Sequence, residues 1–252
     1  MVEAIEDKGG KIFPNTKIHP ENGNVRSVQV AADGRADEIG CDLLISSIRP
    51  SEVGTLIWGK DSEQAVFMKK NMQLRDAMLV YLGIDQDRVL EDQWIFFPER
   101  SFPFSRLSEP KLISHRLGPA GKTVLCCDLS CAKRCPQWQG AEDDLIQECI
   151  RSLVSAGFIK EEEVEYSFVK RIPRVYPVYD CQYRDNLNQI YSFFNEISNL
   201  ILTVRIGMFN YNNADHCLDM GKLIAQGLSR GELPDLIRSH LQERANNYKI
   251  VD

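Results

Sequence analysis

Arg205-Ile206-Gly207-Met208-Phe209-Asn210-Tyr211-Asn212-Asn213-Ala214-Asp215-His216 is the stretch on which the fold of this chain turns. Before it, Leu200 to Arg205 reads as a strand, with Asn199 leading in. Gly207 breaks the strand and permits a turn, and a polar, Asn-rich connection leads into a helix over residues 213–229. A strand-to-helix turn leaves the first N–H groups of the helix without intrahelical partners, in the positive field of the helix dipole. Electron-rich and phosphorylated ligands are favoured there.

Working outward, residues 183–197 form a helix, and residues 232–246 a last, surface helix. Residues 164–172 read as a strand. Val175-Tyr176-Pro177-Val178-Tyr179 reads as an extended segment that Pro177 holds out of a regular ladder. Residues 142–156 form an amphipathic helix with Leu145, Ile146, Cys149, Ile150 and Leu153 on one face, ended at Gly157. Upstream of it, residues 94–97, 111–117 and 123–129 read as strands, and Gly118 to Thr123 as a hairpin turn. His115 then alternates along a strand, and His216 faces solvent on its helix. Trp94, Phe96, Phe97, Phe102 and Phe104 make an aromatic-rich patch.

The N-terminal third reads differently. Residues 2–8 read as the last turns of a helix that ends at Gly9-Gly10, and residues 11–18 as a short strand. His19 to Asn24 is a turn, its Asn22-Gly23 a hairpin signal. Residues 25–30 alternate as a half-buried strand, and Asp33-Gly34 makes a second turn. Cys41 to Ile48 is a continuous apolar strand with the pattern of burial on both faces. Residues 51–83 are mostly helical in pattern. The mixture predicts an α/β class with α+β character, arranged in two lobes.

Composition narrows the function classes. At 252 residues, with 43% hydrophobic and 26% charged residues, the chain can bury a core as an ordinary globular protein does. A net charge of -6 offers no electrostatic footprint for nucleic acid. No apolar run approaches the roughly 18 residues of a membrane span. The N-terminus carries no secretory signal and the chain no N-x-S/T acceptor, so a cytoplasmic location is expected. Its eight cysteines are accordingly read as thiols, and Cys126, Cys127, Cys131 and Cys135 crowd too closely for a usual structural zinc site.

The quoted stretch resembles the C-terminal flavin-contacting motif of the flavin amine oxidase, protoporphyrinogen oxidase and UDP-galactopyranose mutase superfamily, whose usual form is close to GRxGxFxYxNxD. Arg205, Gly207, Phe209, Tyr211, Asn213 and Asp215 match it, whereas Val204 stands where that form has glycine. Lys8 to Ile18 is similar to the second FAD-contacting segment of the same family, Ile18 at the position that touches the cofactor. Cys41 to Ile48 is similar to the strand that returns to its nucleotide-binding sheet. The G-x-G-x-x-G fingerprint of the family does not occur in the sequence.

The resemblance implies the C-terminal portion of a FAD-dependent oxidoreductase, with hydride transfer from an organic substrate to flavin. It implies part of a Rossmann-like FAD-binding domain with an inserted mixed-sheet substrate lobe. The segments are then 1–58 and 176–252 for the FAD side and 59–175 for the lobe. Asp215 would accept from ribityl hydroxyls, and the N–H groups of Asn213, Ala214 and Asp215 would face the flavin pyrimidine carbonyl. Arg205 would pair with the pyrophosphate or an anionic substrate. Arg174 and Tyr176 lie in segments suited to a small-molecule substrate. No acid or base is singled out. Without the fingerprint, FAD binding by these residues alone is expected to be weak or absent, and an exposed sheet edge would favour self-association. Two alternatives stay open: a mutase-like flavin-dependent isomerase of a nucleotide sugar, and a catalytically inactive fragment.

Overall fold

A computed structural model describes residues 2–11, 16–21, 24–32, 35–131 and 135–249. In chain order its elements begin with α1 (Val2–Glu6), β1 (Thr16–Glu21), β2 (Asn24–Ala32), β3 (Arg35–Gly40), β4 (Leu44–Ser46), α2 (Pro50–Trp58) and α3 (Glu63–Asn71). Next come β5 (Leu74–Ile84), β6 (Trp94–Phe96), β7 (Arg106–Ser108), β8 (Thr123–Cys131), α4 (Pro136–Gln139), α5 (Glu142–Ser155) and β9 (Val164–Pro177). The last are α6 (Tyr183–Asn195), β10 (Leu200–Leu202), α7 (Val204–Gly207), α8 (Ala214–Ser229) and α9 (Pro234–Asn247). The fold is mixed α/β. It divides into two compact units, residues 1–73 with 179–252, and residues 74–178. No helix among the described residues is long and apolar enough to cross a membrane.

In the first unit, β1, β2 and β3 form an antiparallel meander in which Ile18 lies opposite Val28 and Glu21 opposite Asn24. The Asn22-Gly23 and Asp33-Gly34 turns lie outside the described residues. β4 runs parallel to β10, with Leu44, Ile45 and Ser46 opposite Leu200, Ile201 and Leu202. Against Ile201 pack Met208, Met220, Ile224, Ile237 and Leu241, so α8 and α9 close the core behind β10. Trp58 of α2 meets Phe194 of α6 at 5.1 Å, and Phe67 of α3 meets Phe193 at 5.8 Å.

The second unit is one antiparallel sheet of order β6-β7-β8-β5-β9. Its period-two pattern sends Met78, Val80, Leu82, Leu125, Cys127 and Leu129 to one face, where α5 covers them with Leu145, Ile146, Cys149, Ile150 and Leu153. Those five α5 residues are the ones its helical period selects. Phe97, Phe102, Phe104 and Phe158 pack ring against ring at the margin of this core, at 4.4 to 6.0 Å. Trp94 and Phe96 stay exposed.

Several elements differ from what the sequence pattern suggests. Residues 74–84, within the stretch of helical pattern, are β5, the strand that pairs on both edges; its side chains alternate between the face under α5 and the opposite face, and α2 and α3 take only the residues before it. Residues 111–117 are a 3-10 turn and loop, so His115 lies on an exposed turn and not in a ladder. β7, with Leu107 fully buried, is the strand that pairs there instead. The segment 41–48 contributes only three strand residues, β4 pairs with β10 alone among the described residues, and Ile45 is exposed. β1 extends through His19 and Pro20, with a register irregularity between them absorbing the proline.

Pro177 stays in the ladder, opposite Leu74. β9 instead bulges at residues 173–175, where Arg174 takes φ +56° and its N–H donates to the buried Asp76 carboxylate at 2.7 Å. The final helix is also more than a surface element, since Ile237, Arg238, Leu241 and Ala245 are buried. Lastly, Cys131 and Cys135 are joined as a disulfide, the other six cysteines being free thiols. The two Cα atoms are 6.1 Å apart, within disulfide span.

Candidate functional site

The quoted stretch folds into β10, α7, a braced turn and α8. The strand ends at Leu202, earlier than its apolar run suggested, and Arg205 and Gly207 fall in the single turn of α7. Gly207 is not the residue that makes the turn. It is buried, and a Cβ there would stand 2.8 Å from the Ser46 carbonyl oxygen, so its small size lets α7 lie against the backbone of β4. The left-handed conformations belong to Val204 (φ +59°) and Phe209 (φ +50°). Val204 is the position where the related motif has glycine, and the backbone there adopts the conformation glycine favours. The substitution visible in the sequence thus coincides with local strain.

The turn after α7 is held by groups that sequence reasoning passed over. The Tyr179 hydroxyl accepts from the Tyr211 N–H at 2.6 Å and donates to the Phe209 carbonyl at 3.3 Å. Burial raises that hydroxyl above its ordinary range, which keeps it protonated and able to donate. The Tyr191 hydroxyl donates to the Met208 carbonyl at 2.8 Å, and its own burial raises it further. The Arg205 guanidinium lies 4.3 Å from the centre of the Tyr211 ring and donates to the Asn212 carbonyl at 3.2 Å. Asn212 is buried, its side-chain oxygen 3.3 Å from the Cys217 sulfur. The only hint in the sequence was the density of tyrosine and asparagine around the glycine.

α8 begins from Asn213, whose N–H donates to His216 Nδ1 at 3.2 Å. His216 is therefore a capping residue and not the solvent-facing one its helical position suggested; its ring stacks on Tyr248 at 4.2 Å. Ala214 and Asp215, by contrast, are exposed, with the Asp215 side chain 77% accessible. The first turn of the 16-residue helix is exposed at Ala214 and Asp215, while Asn213 and His216 bond reciprocally across it and the residues just before it are braced. An open turn of this kind presents N–H donors and one carboxylate acceptor to a ligand that needs both, such as a polar heterocycle with a hydroxylated chain. That donor set fits a flavin.

The other sequence-selected residues lie elsewhere. Ile18 is in β1, within the same unit. Arg174 and Tyr176 belong to β9 of the second unit, where the Tyr176 hydroxyl donates to the buried Asp128 carboxylate at 3.3 Å. Arg106 pairs with the same oxygen at 2.5 Å. Asp128 and Arg106 were not singled out by sequence, since lone charges in apolar strands carry no spacing signal. Among the described residues, no group of three His, Cys, Asp or Glu side chains is placed to hold a metal ion.

No family model and no curated protein matches the sequence. Solved structures do. A reduced UDP-galactopyranose mutase superimposes with a TM-score of 0.66 at 18% identity, over 81% of this chain and 43% of that one. A protein assigned as a protoporphyrinogen oxidase from Exiguobacterium sp. 255-15 gives 0.56 at 13% identity, over 76% and 42%. The PF1083 protein from Pyrococcus furiosus gives 0.53 at 15% identity, over 81% and 45%. The chain spans less than half the length of each, and what it has in common with them is the fold.

Proposed function

We propose that this chain is the C-terminal portion of a FAD-dependent oxidoreductase that transfers hydride from an organic substrate to flavin. The observation that carries the reading is the open first turn of α8, in the motif that resembles a flavin contact, on a fold common to a mutase and an assigned protoporphyrinogen oxidase. In this reading the N–H groups of Ala214 and Asp215 meet the pyrimidine carbonyl, where donors stabilise the charge of a reduced ring. The Asp215 carboxylate accepts from ribityl hydroxyls, and Asn213 fixes the start of the helix. Arg205 and Gly207 shape the turn, and Ile18 lies along the adenine end. FAD, when bound, supplies the hydride acceptor; the protein supplies orientation and donors.

Arg174 and Tyr176 are proposed as contacts of a small-molecule substrate in the lobe. FAD binding by these 252 residues is weak in this reading, for want of a second helix start beneath the pyrophosphate.

The test is quenching of FAD fluorescence on titration with the chain and with Asp215→Ala. Saturable quenching that the variant weakens by about tenfold, roughly 1.4 kcal/mol, supports the assignment. Identical curves for the two proteins overturn it. Stoichiometric yellow flavin in the purified protein would instead refute the weak-binding part.

A second reading, a flavin-dependent isomerase acting on a nucleotide sugar, is favoured by the TM-score of 0.66 to the mutase against 0.56 to the assigned oxidase. Rearrangement of UDP-galactopyranose by flavin-loaded protein, with no net oxidation, would select it.

A further inference from the structure

α5 covers one face of the five-stranded sheet in residues 74–178; the other face carries a different set of side chains, and strand pairing arranges them in rows. One row crosses all five strands: Trp94 opposite Ser108, Ser108 opposite Cys126, Cys126 opposite Tyr81, and Tyr81 opposite Phe168. Two residues along, the next row of the same face reads Phe96, Arg106, Asp128, Leu79 and Lys170.

The first row has aromatic ends and a small centre. Tyr81 is backed by Phe168, the two rings stacked at 4.8 Å. Trp94 and Tyr81 stand three strand spacings apart, roughly 14 Å. Between them lie only Ser108 and Cys126, so once half the thickness of each aromatic side chain is subtracted roughly 11 Å remains, the width of one ring system lying flat across that floor. Burial raises the Cys126 thiol to about 11 and the Tyr81 hydroxyl to about 12, so this floor is uncharged at neutral pH.

The second row supplies charge. Asp128 is 5% exposed and is held from two sides, by Arg106 and by the Tyr176 hydroxyl. The cations reach outward: the Arg106 side chain is 36% accessible and Lys170 is exposed. The row is therefore net positive on a chain whose overall charge is -6. Trp94, Phe96 and Phe168 are 37%, 53% and 48% exposed, an amount of aromatic surface that marks a binding face.

We propose that this face is a trough for a small planar-ring anion, its ring between Trp94 and Tyr81 over Ser108 and Cys126, and its acidic group beside Arg106 and Lys170. The proposal deepens the reading of residues 74–178 as the substrate lobe and names an aromatic or heteroaromatic acid as the substrate class. Binding itself requires no flavin, so the two claims can fail separately.

The test is calorimetric titration of the full chain, without FAD, using 2-naphthoate and, as the cationic counterpart, 2-naphthylmethylamine. The expected result is naphthoate binding about tenfold tighter than the amine, equivalent to roughly 1.4 kcal/mol. Lys170→Gln, an exposed change, should weaken naphthoate about threefold, with the loss fading at high salt. Ser108→Phe should abolish binding by filling the gap while leaving the Arg106–Asp128 pair intact, with unfolding cooperativity as the check on folding. Equal binding of amine and acid, or naphthoate affinity unchanged by Ser108→Phe in a folded protein, overturns the trough. A chain that quenches FAD fluorescence yet ignores naphthoate also overturns it, whereas one that binds naphthoate without FAD sustains it.

Discussion

At the scale of single residues, the motif around Gly207 is paired with a cost. Val204 is β-branched and holds φ +59°, a conformation that costs an L-residue on the order of 1–2 kcal/mol. Val204→Gly should therefore raise stability, by about 0.5–1 kcal/mol after the added freedom of glycine in the unfolded chain is deducted, read as a higher denaturant midpoint at constant slope. No change, or a loss, would mean that the valine side chain contributes more packing than its backbone costs. Tyr179 makes a second residue-scale case. Tyr179→Phe removes the acceptor of the Tyr211 N–H and the donor to the Phe209 carbonyl, a loss of about 1–3 kcal/mol. Hydrogen exchange should show the Tyr211 amide deprotected in the variant. An unaltered exchange rate there would remove Tyr179 from the brace. Arg205 and Gly207 were legible in the sequence as a pair that matters. That Gly207 serves packing on β4 and Tyr179 serves the turn was not, because both depend on contacts across 30 or more residues of chain.

At the scale of elements, amphipathic helices were read well and strands unevenly. α5 was legible down to its buried positions, since a 3.6-residue period is a local property. β5 was not, because Ala77–Leu82 is apolar at every position, so the sequence lacks the polar alternation that marks a half-buried strand although burial along the strand does alternate. β8 carries a consequence that can be measured. Its Cys126 thiol is held protonated by burial to about 11, while an exposed thiol in the unfolded chain titrates near 9.0. The raised folded value means that this contribution to stability is whole below pH 9 and is lost as pH rises towards 11. The loss is up to about 3 kcal/mol, one pKa unit being about 1.4 kcal/mol. Cys126→Ala should flatten the stability profile between pH 9 and 11. A variant with the wild-type alkaline slope would assign that slope to other groups.

At the scale of the whole molecule, the division into residues 1–73 with 179–252 and residues 74–178 predicts that a core lesion acts on one unit alone. Glu109 is fully buried in the second unit, accepting from the Leu90 N–H and the Thr123 hydroxyl, each at 2.7 Å. Glu109→Ala strands those donors and should lower the calorimetric transition of residues 74–178 by about 3 kcal/mol while leaving that of the other unit in place. One concerted transition that moves as a whole would contradict independent units. The sequence by itself determined the helices α5, α6 and α8, the mixed class, and the exposed helix start after the motif, because helical periodicity and capping residues act within a few positions of the chain. The tertiary structure alone decided which strands pair, that Cys131 meets Cys135, that Asp128 gathers Arg106 and Tyr176, and that two tyrosines brace the turn before α8. Each of these joins groups through the packing of distant segments, and no local pattern in a single chain encodes such meetings.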